Sequence, residues 1–156
     1  MQSITRKFIV TKIPDLTGKK CLSQNRFYLY RKNGVVIRVQ SKGDKFELER
    51  KIDKSNIIRE SEKITITKDE FIILHKNVVD EVIRESYLIN ENPNTTLMVY
   101  HGKFEGLARA ETKFPTVEEA IHFSPPAWMG KEITDSPLGK DETLLGLKDT
   151  DFKSLL

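Results

Sequence analysis

Apolar and polar residues alternate with a period of two over most of the first two thirds of the chain. Between residues 3 and 10, Ile4 and Phe8 fall on one face, while Thr5 and Lys7 fall on the other. This alternation is typical of strands with one buried face. The same pattern predicts further strands at residues 27–30, 35–40, 45–52, 57–66 and 82–89, and a hairpin across residues 95–114.

Turn and cap signals divide these segments. Asn33-Gly34 predicts a hairpin turn, and Thr67 and Thr116, each followed three residues later by glutamate, are capping boxes that begin short helices. A last short helix is predicted at residues 149–156. About eight strands and few helices predict a mainly β (α+β) protein: one domain, residues 1–156, built as an eight-stranded antiparallel closed β-barrel with a few peripheral helices.

Composition narrows the class of protein further. Lys and Arg total 26 and Asp and Glu total 23, so the net charge of +3 gives little reason to expect nucleic acid or an anionic membrane as a partner. No apolar run approaches the roughly 20 residues that cross a bilayer, and the N-terminus lacks the apolar stretch of a signal peptide. The single cysteine, Cys21, excludes an internal disulfide. We therefore expect a cytoplasmic protein with no membrane partner, and a homodimer is left open.

Several motifs occur in an order that resembles the CYTH family, the triphosphate tunnel metalloenzymes. The strongest is Trp128-Met129-Gly130-Lys131-Glu132-Ile133-Thr134, which is similar to the Trp-x-Gly-Arg/Lys-Glu-Val-Thr stretch of short bacterial inorganic triphosphatases. Tyr100-His101-Gly102 resembles their Phe-His-Gly turn, and Arg6-Lys7-Phe8-Ile9-Val10 resembles their opening strand. The resemblance extends over nearly the whole chain.

This resemblance implies a tunnel through the barrel that binds a triphosphate. In the family, one half of the tunnel is cationic and grips phosphate oxygens, and the other half carries carboxylates that hold Mg²⁺ or Mn²⁺. The division has a physical reason, because Lys and Arg replace the hydration of phosphate and hard divalent cations require oxygen ligands. The metal ions would then position a water for attack on phosphorus.

The cationic half of the family pattern is kept in this chain. By resemblance, the residues expected to bind phosphate are Lys7, Arg38, Lys51, Arg59 and Arg84 inside the tunnel, with Lys113 and Lys131 at a tunnel rim. Lys63 and Lys113 stand where the family has acids, so they are additional cations.

The acidic half of the pattern is largely absent. The family's opening Glu-x-Glu-x-Lys is Ser3-x-Thr5-x-Lys7 here, and its aspartate before the Phe-His-Gly turn falls on Met98. Glu111 and Glu49 are the remaining candidates for metal ligands. One or two separated carboxylates are too few for a firm divalent site, so anion binding is expected to require no cofactor and only catalysis would require Mg²⁺ or Mn²⁺.

The segment from Arg59 to Lys63 allows two registers. In the first, Arg59, Ser61 and Lys63 point into the tunnel; a slip of one residue would instead point Glu60 and Glu62 inward, because register decides the face in a strand. The slip would also put Ile64 into the polar tunnel, which favours the first register.

Three functions remain open on the sequence. The first is a degenerate tunnel protein that binds triphosphate, a nucleoside triphosphate or a nucleotide messenger, with catalysis weakened or lost. The second is an active Mg/Mn-dependent inorganic or nucleoside triphosphatase with a rearranged metal site. The third is a structural or protein-interaction barrel in which Glu47 and Glu49 pair with the tunnel cations. Tyr28, Tyr30 or Tyr100 could stack a base, but each is expected to be a packing residue.

Overall fold

Eight antiparallel strands close into a barrel in the computed structural model, which describes all 156 residues. The order of the strands around the barrel is β1-β5-β4-β3-β2-β6-β7-β8. The strands are β1 Gln2–Ile9, β2 Cys21–Lys32, β3 Val35–Lys42, β4 Lys45–Asp53, β5 Ile58–Ile66, β6 Glu81–Glu91, β7 Asn94–His101 and β8 Ala108–Phe114. This architecture confirms the fold class predicted from the alternation.

Four short α-helices lie outside the strands: α1 Lys68–His75, α2 Val117–His122, α3 Asp141–Leu144 and α4 Asp149–Leu155. The first two begin where the cap signals predict, since the hydroxyls of Thr67 and Thr116 each accept a hydrogen bond from the backbone N–H of the glutamate three residues later, at 3.1 Å in both cases. None of the helices has the length and apolarity needed to cross a membrane.

Strand β2 is much longer than the alternation predicts. The prediction began at residue 27, but β2 begins at Cys21 and pairs with β6 from Cys21–Tyr87 to Phe27–Glu81. Four of the six added residues, Ser23 to Arg26, are polar on both faces, so they show no alternation. Backbone pairing with β6 holds them in the sheet.

The apolar faces of the strands point outward, where peripheral segments cover them. Phe27, Val39 and Ile66 pack beneath Phe71 of α1, and Phe8 and Leu97 pack beneath Met129 of the segment after α2. The interior of the barrel therefore receives the other, polar face of each strand. Most of the hydrophobic core is outside the wall.

One end of the barrel is closed by the C-terminal segment. Leu138, Leu144 and Leu145 are buried in a cluster with Tyr28 and Tyr100 at the end of the barrel where β2 and β7 finish. The opposite end, where β1 starts and β8 finishes, has no such cover, and Met1, Ser3 and Lys113 lie around its opening. The barrel is thus a tunnel with one closed end.

The closing segment depends on a glycine at position 139. A Cβ added to Gly139 would overlap the carbonyl oxygen of Ile133 and crowd that of Thr134, whereas a Cβ on Gly146 would make only ordinary contacts. We expect Gly139→Ala to lower the free energy of unfolding by about 1–3 kcal/mol, the usual range for overpacking. Urea unfolding measures this loss, with Gly146→Ala as the matched control; equal losses in both variants would contradict the tight packing of Gly139.

Candidate functional site: a cationic tunnel

The interior of the barrel encloses a polar cavity of about 180 Å³. Every strand contributes to it, and five of the eight contribute alternate residues, as the period-two pattern requires. The lining has ten cationic and two acidic side chains, with only Met1, Ile57 and Met98 as hydrophobic members. The charged lining residues are Lys7, Arg26, Arg38, Glu49, Lys51, Arg59, Lys63, Arg84, Arg109, Glu111, Lys113 and Lys140.

Six of the seven residues expected to bind phosphate line this cavity: Lys7, Arg38, Lys51, Arg59, Arg84 and Lys113. Lys131 does not line it, which corrects the expectation of a rim position. Its backbone carbonyl accepts a hydrogen bond from the N–H of Ile9 at 2.9 Å, so this residue runs beside the end of β1, and its side chain is exposed to solvent.

Strand β5 adopts the first of the two registers considered, in which no glutamate of this strand points into the barrel. Arg59, Ser61 and Lys63 line the cavity, and Glu60 and Glu62 are exposed on the outside. The pairing explains this choice, because Lys63 lies opposite Glu49 on β4 and can approach its carboxylate to 3.6 Å. No additional acidic pair enters the tunnel.

Two arginines that line the cavity, Arg26 and Arg109, and one buried acid, Asp141, were not predicted as site residues from the sequence. Arg26 precedes the predicted start of β2, in a stretch that is polar on both faces, so no alternation indicated that it points into the barrel. Arg109 shares its face with Glu111 and Lys113, and that shared face was a usable signal. Asp141 comes from α3 in the closing segment, and no local pattern indicates that it reaches the arginines of the barrel.

Glu49 is neutralised by cations on both neighbouring strands. It lies opposite Arg38 on β3, whose Nε and Nη2 donate to its Oε1 at 3.1 and 2.5 Å, and its Oε2 is 3.6 Å from Lys63 Nζ. Burial by itself would raise the pKa of Glu49, but Arg38, Lys51 and Lys63 outweigh it and lower the pKa to about 2. The carboxylate of Glu49 is therefore ionised and already paired with Arg38 and Lys63.

Glu111 is held in the same way on the other side of the tunnel. Arg109 Nη2 donates to its Oε2 at 3.0 Å, Arg84 Nη1 is 3.5 Å from the same oxygen, and Lys7 Nζ is 4.0 Å from its Oε1. Burial favours the neutral acid, but Arg109, Lys7 and Arg84 prevail and hold the pKa of Glu111 well below its ordinary value.

These carboxylates do not fit a divalent metal ion. Both Glu49 and Glu111 have their oxygens directed at arginine or lysine, and the inner positions near the start of β1 are Ser3 and Thr5. Nowhere in the chain do three His, Cys, Asp or Glu side chains come together as potential metal ligands. A hard cation would have to displace cations from both glutamates, so we derive no catalytic step through a metal.

Lys51 has no acidic partner within ion-pairing distance, although it is largely enclosed. It lies opposite Ser61 and two residues along β4 from Glu49. Burial lowers the pKa of Lys51 to about 6, and neighbouring Arg38 contributes to the lowering. Burial likewise lowers the pKa of Lys7 to about 7; Glu111 opposes this effect, and Arg109 reinforces it. Lys7 Nζ still donates to the carbonyl oxygen of Gly139 at 2.5 Å and lies 4.0 Å from Glu111, whereas the ammonium group of Lys51 has no carboxylate beside it.

Comparison with known proteins agrees with this architecture. No protein-family model matches the sequence. An inorganic triphosphatase of Nitrosomonas europaea is 22% identical over 147 residues, which cover 92% of this chain and 97% of that protein. The solved structure of an inorganic triphosphatase superposes with a TM-score of 0.70 at 23% identity, over 94% of this chain and 95% of the other. A Hippeastrum protein described as a candidate adenylyl cyclase with dominant triphosphatase activity superposes with a TM-score of 0.51 at 14% identity, over 76% and 82%.

The closed eight-stranded barrel with a polar interior is the fold that the resemblance to the triphosphate tunnel, or CYTH, proteins implies, and these solved structures share it. The resemblance drawn from the motifs of the sequence is therefore confirmed in the three-dimensional structure and by these relatives.

The lowered pKa of Lys51 predicts how stability depends on pH in the absence of ligand. Between the folded pKa of about 6 and the ordinary lysine value of 10.5, the unfolded chain binds more protons than the folded one, so stability rises with pH. We expect Lys51→Met to reduce this slope between pH 6 and 9 in urea unfolding. Ser61→Ala, which changes the neutral residue opposite Lys51, is the control; an unchanged slope in Lys51→Met would contradict the shift.

Proposed function

We propose that the tunnel binds a small phosphate-rich anion without a metal ion, and that catalysis is weakened or lost. The observation that carries this proposal is the excess of positive charge around the cavity. Ten cationic side chains line it, and six acids pair with them: Glu49 and Glu111 in the lining, and Glu47, Asp53, Asp141 and Glu142 beside it. Lys51 and Lys113 are left without an acidic partner. Like charges in an enclosed space raise the free energy of the folded state unless an anion compensates them. A polyphosphate supplies several negative charges and many acceptor oxygens in one small molecule.

An inorganic polyphosphate is favoured over a nucleotide. No aromatic side chain is in the lining, so a base would find no ring on which to stack. The two inward tyrosines are already engaged, since Tyr28 accepts from Arg38 and Tyr100 accepts from Arg84 and donates to Asp141; Tyr30 is exposed. The cavity of about 180 Å³ is also smaller than the roughly 300–1,000 Å³ of pockets for larger organic ligands.

The alternatives each rest on a different observation. A relative named as an inorganic triphosphatase favours hydrolysis, but the occupied states of Glu49 and Glu111 leave no free carboxylates for the required metal. The structural alternative expects Glu47 and Glu49 to pair with tunnel cations, and Lys63 does approach both carboxylates at 3.6 Å. These pairs still leave Lys51 and Lys113 without an acidic partner, which favours a ligand.

The proposal predicts metal-independent binding of triphosphate. Calorimetry in EDTA should give saturable binding of inorganic triphosphate to the wild-type protein. Lys51→Met should weaken it by about tenfold or more, because a hydrogen bond to a charged group contributes about 1.5–3 kcal/mol. Lys131→Met, outside the tunnel, is the matched control and should bind like wild type. Phosphate release that requires Mg²⁺ or Mn²⁺ would instead support hydrolysis, and absence of binding would support the structural role.

Binding should also take up protons. Lys51, with a pKa of about 6, is mostly neutral at pH 8, and a bound anion stabilises its ammonium form. We therefore expect the affinity of wild type relative to Lys51→Met to fall as the pH is raised from 6 to 9. Calorimetry at pH 8 in buffers of different ionisation enthalpy counts the protons. The count should be larger for wild type than for Lys51→Met, a comparison that cancels the ligand's own protons; equal counts would argue against contact with Lys51.

A further inference from the structure

Asp141 is surrounded by cationic groups at the closed end of the tunnel. Its Oδ1 accepts from Tyr100 Oη at 2.5 Å and from Arg109 Nη2 at 3.1 Å. Its Oδ2 accepts from Arg26 Nη1 at 3.0 Å and lies 3.3 Å from Arg84 Nη1. The residue is 2% exposed, and although burial opposes ionisation, Arg84, Arg109 and Arg26 hold the pKa of its carboxyl well below the ordinary value.

Three guanidinium groups and a phenol form a receptor suited to a larger anion than one carboxylate. Planar guanidinium groups match the oxygens of phosphate through paired hydrogen bonds. In this cluster the Nε atoms of Arg26 and Arg109 are buried without a hydrogen-bond partner, so the site offers more donors than Asp141 accepts. Glu111 supplies the only other carboxylate to these arginines, through Arg84 and Arg109.

The closing segment is packed too firmly for Asp141 to leave easily. Leu138, Leu144 and Leu145 on either side of it are buried in the hydrophobic cluster at the closed end. Two ion pairs also flank it, from Lys140 to Asp53 at 2.6 Å and from Arg59 to Glu142 at 2.5 Å. Withdrawing Asp141 would expose this apolar surface and break both pairs.

We infer that Asp141 is a fixed internal anion, which fills an arginine-lined anion subsite at the closed end of the tunnel. The polyphosphate of the proposed function, on which this inference rests, is then confined to the rest of the cavity, around Lys51, Lys63 and Lys113. Asp141 sets the length of ligand that the tunnel accepts, because the subsite it fills is denied to a terminal phosphate group.

The test combines two substitutions of Asp141 with a control substitution outside the closing segment. Asp141→Ala vacates the subsite, and Asp141→Asn removes the charge but keeps the space filled. Glu132→Gln weakens a bidentate ion pair with Arg6 outside the tunnel, so it costs stability without creating an anion site. Thermal unfolding is followed with and without inorganic phosphate, and calorimetry measures the affinity for triphosphate.

We expect inorganic phosphate to raise the Tm of Asp141→Ala more than that of Asp141→Asn, Glu132→Gln or wild type. Asp141→Ala should bind triphosphate about tenfold or more tightly than wild type, because an added charged hydrogen bond contributes at least that factor. Equal phosphate effects in Asp141→Ala and Asp141→Asn would overturn the inference. If wild type binds no triphosphate but Asp141→Ala gains phosphate binding, the proposed function fails and the subsite stands.

A measurement on the wild type covers the case in which neither variant folds. Amide hydrogen exchange of residues 137–147 should be unchanged by saturating triphosphate, because the ligand stops short of Asp141. Faster exchange in this segment on addition of triphosphate would mean that the ligand displaces Asp141, and would overturn the inference.

Discussion

Repulsion among like charges inside the barrel is the constraint on which the rest of the structure depends. The strands turn their apolar faces outward, so their polar faces, rich in lysine and arginine, share a narrow interior in which most of the charged groups are buried. Coulomb interactions are stronger in such a space than in bulk water. The cross-strand pairs of Arg38 with Glu49 and of Lys7 with Glu111, together with Asp141 at the closed end, make the arrangement compatible with folding.

This constraint affects the arginines and the lysines of the tunnel differently. Arginine does not lose its proton in proteins, so an enclosed guanidinium needs a carboxylate beside it. Each of the five lining arginines has one within salt-bridge distance. Lysine can instead have a lowered pKa, as Lys51 does, and the tunnel ammonium groups without an acidic partner belong to Lys51 and Lys113. These two lysines carry the positive charge that no carboxylate of the protein neutralises.

The same charges distinguish this chain from the metal-dependent pattern that the family resemblance implies. Where the resemblance expects carboxylates, the inner faces carry Ser3, Thr5 and Lys63. The two glutamates that remain serve as counter-ions, so the acids stabilise the cationic wall instead of opposing it with a metal site. A fold that is shared with triphosphatases is thus compatible with anion recognition that depends on lysine and arginine alone.

Much of the fold and part of the site could be predicted from the chain itself. Alternation is a local property, so it predicted most of the strands, and their number predicted a closed barrel. The inward direction of Lys7, Arg38 and Lys51 was predicted from the family resemblance. From Ser23 to Arg26 both faces of the strand are polar. Because no apolar residue alternates with a polar one there, the predicted β2 was too short.

Only the tertiary structure decided the features that depend on distant pairing. The inward face of β5 was settled by its register against β4, because a shift of one residue exchanges the two faces. The partner of Arg26 lies 115 residues away in the closing segment, and Asp141 reaches it only because Leu138 and Leu144 bury themselves at the end of the barrel. The sequence by itself determined which residues are cations and which strands carry them, whereas long-range packing decided which cations are neutralised and which remain free.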